Sequence, residues 1–268
     1  MGDVGGQVTA TLRPLRVLLT AGGTREPIDD VRHIRNVATG SLPAAMAECL
    51  LARGAEVHYL HGPDTLLPGR VRAEFDVTSP DTEPHLQLAE LKELVNGLRV
   101  RLAPGRLTLH PIGTAAEAAA TLAALCRDLQ PDLVACAMAV ADFSPEAAPG
   151  KLGSRQPDGH LTLRLRPTAK AIDSVRAAAP DCALLGFKLL SGASDDELRN
   201  AAAHLAKRAG CDWVFGNDMA DYRAGRRRGV LFARDGSVLA RPGGDGEGGL
   251  QALAESLTAT LLTQLGAR

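Results

Sequence analysis

The stretch LRVLLTAGGTREPIDDVRHIRNVATGS, residues 15–41, decides how the rest of the chain is read. LRVLLTA is a short apolar run that stops at paired glycines, Gly22 and Gly23, the pattern of a buried strand. Helical spacing begins only at Ser41. From there Leu42, Ala45, Met46, Cys49 and Leu50 share one face, and Gly54 follows as a stop. AEVHYLH, residues 55–61, is the next strand. Strand, loop, helix, strand makes one right-handed crossover unit of a parallel sheet. The loop from Gly23 to Ser41 is far longer than the usual strand-to-helix connection of about 2–6 residues. Long loops at this edge of a sheet tend to carry function.

The alternation continues outward. GRLTLHPI is a strand, and residues 114–129 read as a helix with Ala115, Ala118, Leu122, Leu125 and Leu129 on one side. PDLVACAMAVADF is too apolar to alternate, as expected at the centre of a sheet covered on both faces. CALLGF is another buried strand. Residues 194–209 read as an amphipathic helix capped by Ser194 with Glu197 three residues on. DWVFGND closes the series, and Leu250, Leu253, Leu257, Leu261 and Leu265 mark a last helix. Two stretches break the pattern. LTLRLR (161–166) has period two, and GVLFARDGSVLA (229–240) reads as a hairpin turning at Asp-Gly. Both are expected in a small antiparallel accessory or dimerisation sheet. The predicted fold is therefore α/β: a Rossmann-like parallel sheet with helices on both faces plus that accessory sheet. Residues 1–14 read as a flexible tail, 15–268 as one domain, and GGDGEGG (243–249) as a linker.

Composition sets outer bounds. The chain has 268 residues, 45% of them apolar, enough for a substantial core, and with aromatics at 3% that core must be aliphatic. A net charge of −1 with acids and bases interspersed argues against a general nucleic-acid binder. RAGRRRG (223–229) is the one dense basic run, either a solvated loop or a phosphate contact. The five cysteines are odd in number and lack metal-site spacing. With no signal peptide and no membrane-length apolar run, a cytoplasmic protein is expected.

In open α/β sheets ligands bind beyond the carboxyl ends of the strands, where four stretches gather. Gly22 and Gly23 allow either a tight strand exit or close backbone approach to phosphate. Asn36, in RNVATG, is either a turn residue or an amide donor to a developing oxyanion, with Thr39 and nearby N–H groups holding a phosphate. Asp142, in AVADFSP, makes either an Asx turn or a grip on ribose hydroxyls or a metal-bridged phosphate beside Phe143. Lys151, between glycines in PGKLGS, is either plain surface or a lid over a triphosphate.

Together these stretches resemble phosphopantothenate–cysteine ligase (phosphopantothenoylcysteine synthetase) of coenzyme A biosynthesis. The family's opening pattern T-[AS]-G-G-T-x-E-x-I-D-x-V-R is matched at every fixed position by residues 20–32. N-x-[SA]-[ST]-G is matched by Asn36 to Gly40, A-V-A-D-[FYW] by Ala139 to Phe143, and K-[IL]-x-[SK] by Lys151 to Ser154. GFKL (186–189) and ND (217–218) complete the order, so the resemblance runs from about residue 15 to about residue 235. With only a short tail before the first strand, the stand-alone bacterial type is implied, without a flavin decarboxylase half.

The resemblance implies a two-step ligation. The carboxylate of 4′-phosphopantothenate attacks the nucleotide's α-phosphorus, pyrophosphate leaves, and the amine of cysteine then displaces the nucleoside monophosphate from the acyl group. It implies Asn36 and Lys151 as catalytic residues, and Arg32, Thr39 and Gly40 at the acid substrate. At the nucleotide it implies Gly22, Gly23, Cys136, Ala137, Met138, Asp142, Phe143, Phe187, Lys188, His204 and Arg208. It further implies CTP, with ATP possible, Mg²⁺ held mainly by phosphates, and a homodimer binding neither nucleic acid nor membrane. The sequence departs from the family at Pro43, where glycine is usual, in TAK (168–170), which lacks a proline, and at His204 and Arg208, where relatives carry two lysines. A non-catalytic nucleotide-binding relative is one alternative. An NAD(P)-dependent reductase is another, disfavoured because VHYLHGP offers no acid for a ribose.

Overall fold

A computed structural model describes residues 13–69, 91–93, 95–96, 105–153, 159–244 and 249–267. Its centre is an eight-stranded sheet. In chain order the strands are β1 (Arg16–Ala21), β2 (Glu56–His61), β3 (Leu107–Pro111), β4 (Leu133–Cys136), β5 (Ala183–Leu190), β6 (Trp213–Asp218), β7 (Val230–Ala233) and β8 (Val238–Ala240). Across the sheet they run β8-β7-β6-β5-β4-β1-β2-β3. The six strands from β3 to β6 are parallel, and β7 and β8 join antiparallel. The chain winds from β1 to one edge through β2 and β3, then returns to the other side of β1 at β4. The β1/β4 boundary is therefore the topological switch point, where a crevice opens beyond the strand ends.

Alternation along each strand fills both faces. Val17 and Leu19 of β1 pack with α1 (Ser41–Ala52) and α4 (Gly249–Gly266), through Met46, Leu50, Leu253 and Leu257. Leu18 faces the other way, with Ala118 and Leu122 of α2 (Ala115–Leu129) and Ala202 and Ala206 of α3 (Asp195–Ala209). Each fully buried leucine is worth about 1.5–3 kcal/mol over an exposed one, so this aliphatic core needs few rings. Both α2 and α3 start with a complete capping box, Thr114 with Glu117 and Ser194 with Glu197. In α3 three acids lie in the first turn and Lys207 and Arg208 in the last, as the helix dipole favours. Pro43 sits in the first turn of α1, where a missing N–H leaves no bond unmade. That departure is compatible with the helix.

Four expectations change. The strand in PDLVACAMAVADF ends at Cys136, because the amides of Met138 and Ala141 donate to the hydroxyls of Thr20 and Thr24 (both 3.0 Å) instead of to a neighbouring strand. Within LTLRLR only the end is strand: Leu165–Pro167 pairs with Phe143–Pro145 in a separate small sheet. The hairpin at 229–240 is present but extends the main sheet, covering the edge of β6 with buried Leu231 and Phe232, and is no part of a separate accessory sheet. Arg13 is no loose tail residue, since both its terminal nitrogens meet Asp132 (2.6 and 2.9 Å). Residues 1–12 of the expected tail and 245–248 of the expected linker lie outside the described residues, while Gly243–Gly244 pairs with Arg227–Arg228.

Candidate active site

A cleft of about 410 Å³ opens at the switch point. Thr20 and Cys136 line it from the ends of β1 and β4, Phe187 from within β5, and Ala118 and Leu122 from α2. The loop from Met138 to Asp142 forms another part of the lining, with Lys170 to Ile172 next to it. From α3 come Ala201, His204, Leu205 and Arg208, the i, i+3, i+4, i+7 positions of one helical face. The cleft thus pairs apolar walls with the cations Lys170, Lys188 and Arg208, the His204 imidazole and the Asp142 carboxylate. That lining suits a flat apolar ring carrying a polyanion.

The opening stretch builds this cleft from behind. Gly22 has φ +75° and accepts from the Ala139 amide (2.8 Å), and Gly23 forms a bridge with Ala139. Gly40, also at φ +75°, starts α1 against Gly22 and Thr65. Neither Gly22 nor Gly23 lines the cleft; their lack of side chains lets three backbone segments pass within contact. The fixed side chains reach three distant segments. Thr20 and Thr24 hold the 138–141 loop, Glu26, buried, accepts from the Ala115 amide at the start of α2 (2.8 Å), and Asp30 accepts from Gly150 (3.1 Å).

Asp29 is the most heavily engaged. Its buried carboxylate accepts from the amides of Val31 (3.0 Å), Arg32 (2.7 Å) and Leu152 (3.0 Å) and from the Arg32 guanidinium (2.9 Å), while Arg32 also donates to the Leu152 carbonyl (2.8 Å). The Arg32 guanidinium, with the backbone N–H groups, holds the Asp29 carboxyl well below the usual carboxylate range. Arg32, expected at the substrate, is therefore committed to pinning the loop that carries Lys151. A depressed folded pKa stabilises the protein above the unfolded carboxylate value of about 3.9, and that stability is lost as pH falls through the folded value. Asp29→Asn should therefore be less stable than wild type by a constant margin above about pH 5, with the gap closing below about pH 4. Denaturant melts across that range check it, and a gap that persists into acid would contradict it.

The remaining expected residues divide. Cys136, Met138, Asp142, Phe187, Lys188, His204 and Arg208 line the cleft together. Ala137 lies within the same loop but outside the lining, and Phe143 turns outward at 53% exposure. Asn36 is exposed and donates to the Ala139 carbonyl (3.1 Å), so its amide is fixed beside the cleft loop. Thr39 accepts from the Leu66 amide through its carbonyl (2.9 Å). Lys151 is exposed on the loop held by Asp29 and Asp30 and is not among the lining residues. In the basic run, Arg226 and Arg228 pair with Asp221 and Arg227 lies over the Tyr222 ring at 3.9 Å, the solvated reading with local partners.

Sequence reasoning missed Lys170, paired with Asp142, and the Asp173 carboxylate that holds Arg208. The one signal for Lys170 was its place in TAK. The five cysteines are free, and burial pushes the Cys126 and Cys211 thiols up to about 12 and raises Cys136 as well. The cleft thiol is thus a small apolar wall and no nucleophile at neutral pH. Among the described residues no group of three or more His, Cys, Asp or Glu could hold a metal ion, and no helix is long and apolar enough to cross a membrane.

Residues 12–84 and 85–242 match the family described as DNA/pantothenate metabolism flavoprotein C-terminal domain. The chain is 33% identical over 226 residues, 84% of its length, to the coenzyme A biosynthesis bifunctional protein CoaBC of Thermococcus kodakarensis, and spans 46% of that protein. Among solved structures, a Cab2 mutant in complex with phosphopantothenate-cysteine superposes with a TM-score of 0.74 at 21% identity, covering 94% of this chain and 88% of that one. The DNA/pantothenate metabolism flavoprotein of Streptococcus pneumoniae gives 0.69 at 21% identity, covering 94% and 99%. At that identity both speak for the fold alone.

Proposed function

The chain belongs to the DNA/pantothenate metabolism flavoprotein C-terminal domain family, and from that premise we propose that it ligates 4′-phosphopantothenate to L-cysteine through an acyl-nucleotide intermediate. The observation that carries the proposal is the switch-point cleft. It is apolar enough for a base and ringed by Lys170, Lys188 and Arg208, and the Asn36 amide is pinned to its loop. The name of the Thermococcus kodakarensis relative, a coenzyme A biosynthesis bifunctional protein, supports this reading.

In the first step the substrate carboxylate attacks the α-phosphorus of the nucleotide and pyrophosphate leaves. Lys188 and Arg208 offset the negative charge that would repel the carboxylate, and Lys151 closes from its pinned loop. Asp142 holds the ribose, and the backbone of Cys136 and Met138 reads the base. In the second step the amine of cysteine attacks the acyl carbon and the nucleoside monophosphate departs. The second N–H of Asn36, which meets no protein acceptor among the described residues, donates to the oxyanion. Among the described residues none form a cage for Mg²⁺, so that ion would be held by the nucleotide's own phosphates, and no step is assigned to it.

We assign CTP as the nucleotide. A backbone-lined pocket that leaves one polar group unpaired against the wrong base loses about 1–3 kcal/mol, roughly a ten- to hundredfold preference. Pyrophosphate release with phosphopantothenate, cysteine and either CTP or ATP at equal concentration tests both parts. Release with neither nucleotide would remove the ligase reading, and equal or faster release with ATP would remove the CTP assignment.

A homodimer belongs to the same proposal. Val31 lies in the turn of the 25–35 strand pair, Phe143 and Leu165 lie in the 143–145/165–167 pair, the two pairs lie against each other, and Val37 (84% exposed) follows the first pair by two residues. Exposed apolar side chains gathered this way mark an interaction surface. Sedimentation at micromolar protein should give twice the 28.0 kDa chain mass, and a monomer would count against the assembly.

A further inference from the structure

We propose that Lys170 is a nucleotide-phosphate ligand that exchanges partners, leaving Asp142 for the phosphates when a nucleotide enters. The inference rests on the nucleotide-binding reading of the cleft given above.

Lys170 and Asp142 come from two loops that the fold sews together. Asp142 accepts the Thr168 amide through its backbone carbonyl (3.0 Å), and the Thr168 hydroxyl donates to the carbonyl of Ala141. The Lys170 ammonium then reaches Asp142 Oδ1, and both residues line the cleft. The other cationic groups of the lining differ in freedom. Arg208 is clamped by both carboxylate oxygens of Asp173 and is fixed where it stands. Lys170 has a half-exposed, flexible stem and pairs with one oxygen of a carboxylate that is itself 67% exposed. Such a pair contributes little to folding, so breaking it is cheap. A triphosphate brings several charges and many acceptor oxygens to the same place, and an ammonium prefers that anion to one solvated carboxylate. The exchange also releases Asp142 to take ribose hydroxyls with both oxygens, so that phosphate and sugar recognition arise from one movement.

Titration calorimetry on the full chain tests this with CTP, and with cytidine measured by its displacement of CTP, comparing wild type, Lys170→Met and Lys170→Arg. Loss of one charge-assisted contact should weaken CTP about ten- to a hundredfold in Lys170→Met. Cytidine, which has no phosphate, should bind as well as before or better, because Asp142 no longer has a competing partner. Lys170→Arg should retain most of the CTP affinity, and melting temperatures should stay close to wild type. Equal weakening of CTP and cytidine would make Lys170 a mere prop for Asp142 and overturn the proposal. Unchanged CTP binding in Lys170→Met would overturn it while leaving the ligase reading intact. Failure of the wild-type chain to bind either CTP or ATP would remove both.

Discussion

Replacing Gly62 by alanine should lower the unfolding free energy by about 3 kcal/mol, a roughly hundredfold shift in the folding equilibrium. Gly62 follows β2 and donates to the Ala21 carbonyl (3.2 Å). A methyl group added there would fall on the carbonyl oxygen of Gly23, far inside the about 3.5 Å at which such atoms normally rest. Overpacking usually costs about 1–3 kcal/mol, because side chains can turn aside. Here the obstacle is backbone, and that backbone is tied on its far side to Ala139. The strain therefore passes directly to the loop that lines the cleft, and activity should fall even at temperatures where the variant is folded. Denaturant unfolding gives the number. A variant within about 0.5 kcal/mol of wild type would show that the crossing is loose and that the glycines serve another end.

Asn36→Asp should leave pyrophosphate release near the wild-type rate and slow amide formation about 10²–10³-fold, the usual cost of losing one oxyanion donor. The change removes both N–H groups and adds a negative charge where one is to develop. It also sets a carboxylate against the Ala139 carbonyl that Asn36 now binds. The two half-reactions separate these effects. If amide formation alone falls, Asn36 serves acyl transfer. If pyrophosphate release falls equally, its work is to hold the 138–142 loop in place for the nucleotide. Wild-type rates in both would end the assignment.

The order of strands and helices was legible in the sequence because each element follows from local chemistry. Alternation on two buried faces, the Ser194 and Thr114 capping boxes and the left-handed Gly54 after α1 act within a few residues of each other. The helical spacing that puts Ala201, His204, Leu205 and Arg208 on one face is local too, but only the resemblance assigned His204 and Arg208 to the nucleotide, and only the fold turns that face to the cleft. The end of β4 was not legible, since PDLVACAMAVADF is uniformly apolar. What stops the ladder is two threonine hydroxyls more than a hundred residues away along the chain.

The residues from Thr20 to Arg32 show the same division. Sequence alone marks them as a long, unusually fixed excursion from a buried strand and, by resemblance, assigns them to a ligase. It also places glycines and an arginine at the ligand. Only the tertiary structure shows that Gly22 and Gly23 are a crossing point and that Thr24, Glu26, Asp29 and Asp30 tie down the segments at 141, 115, 152 and 150. It alone brings Lys170 to Asp142. A side chain's type limits what it can bond, but its partner is chosen by which distant segment the fold lays beside it, and buried donors and acceptors must then be satisfied from whatever is there.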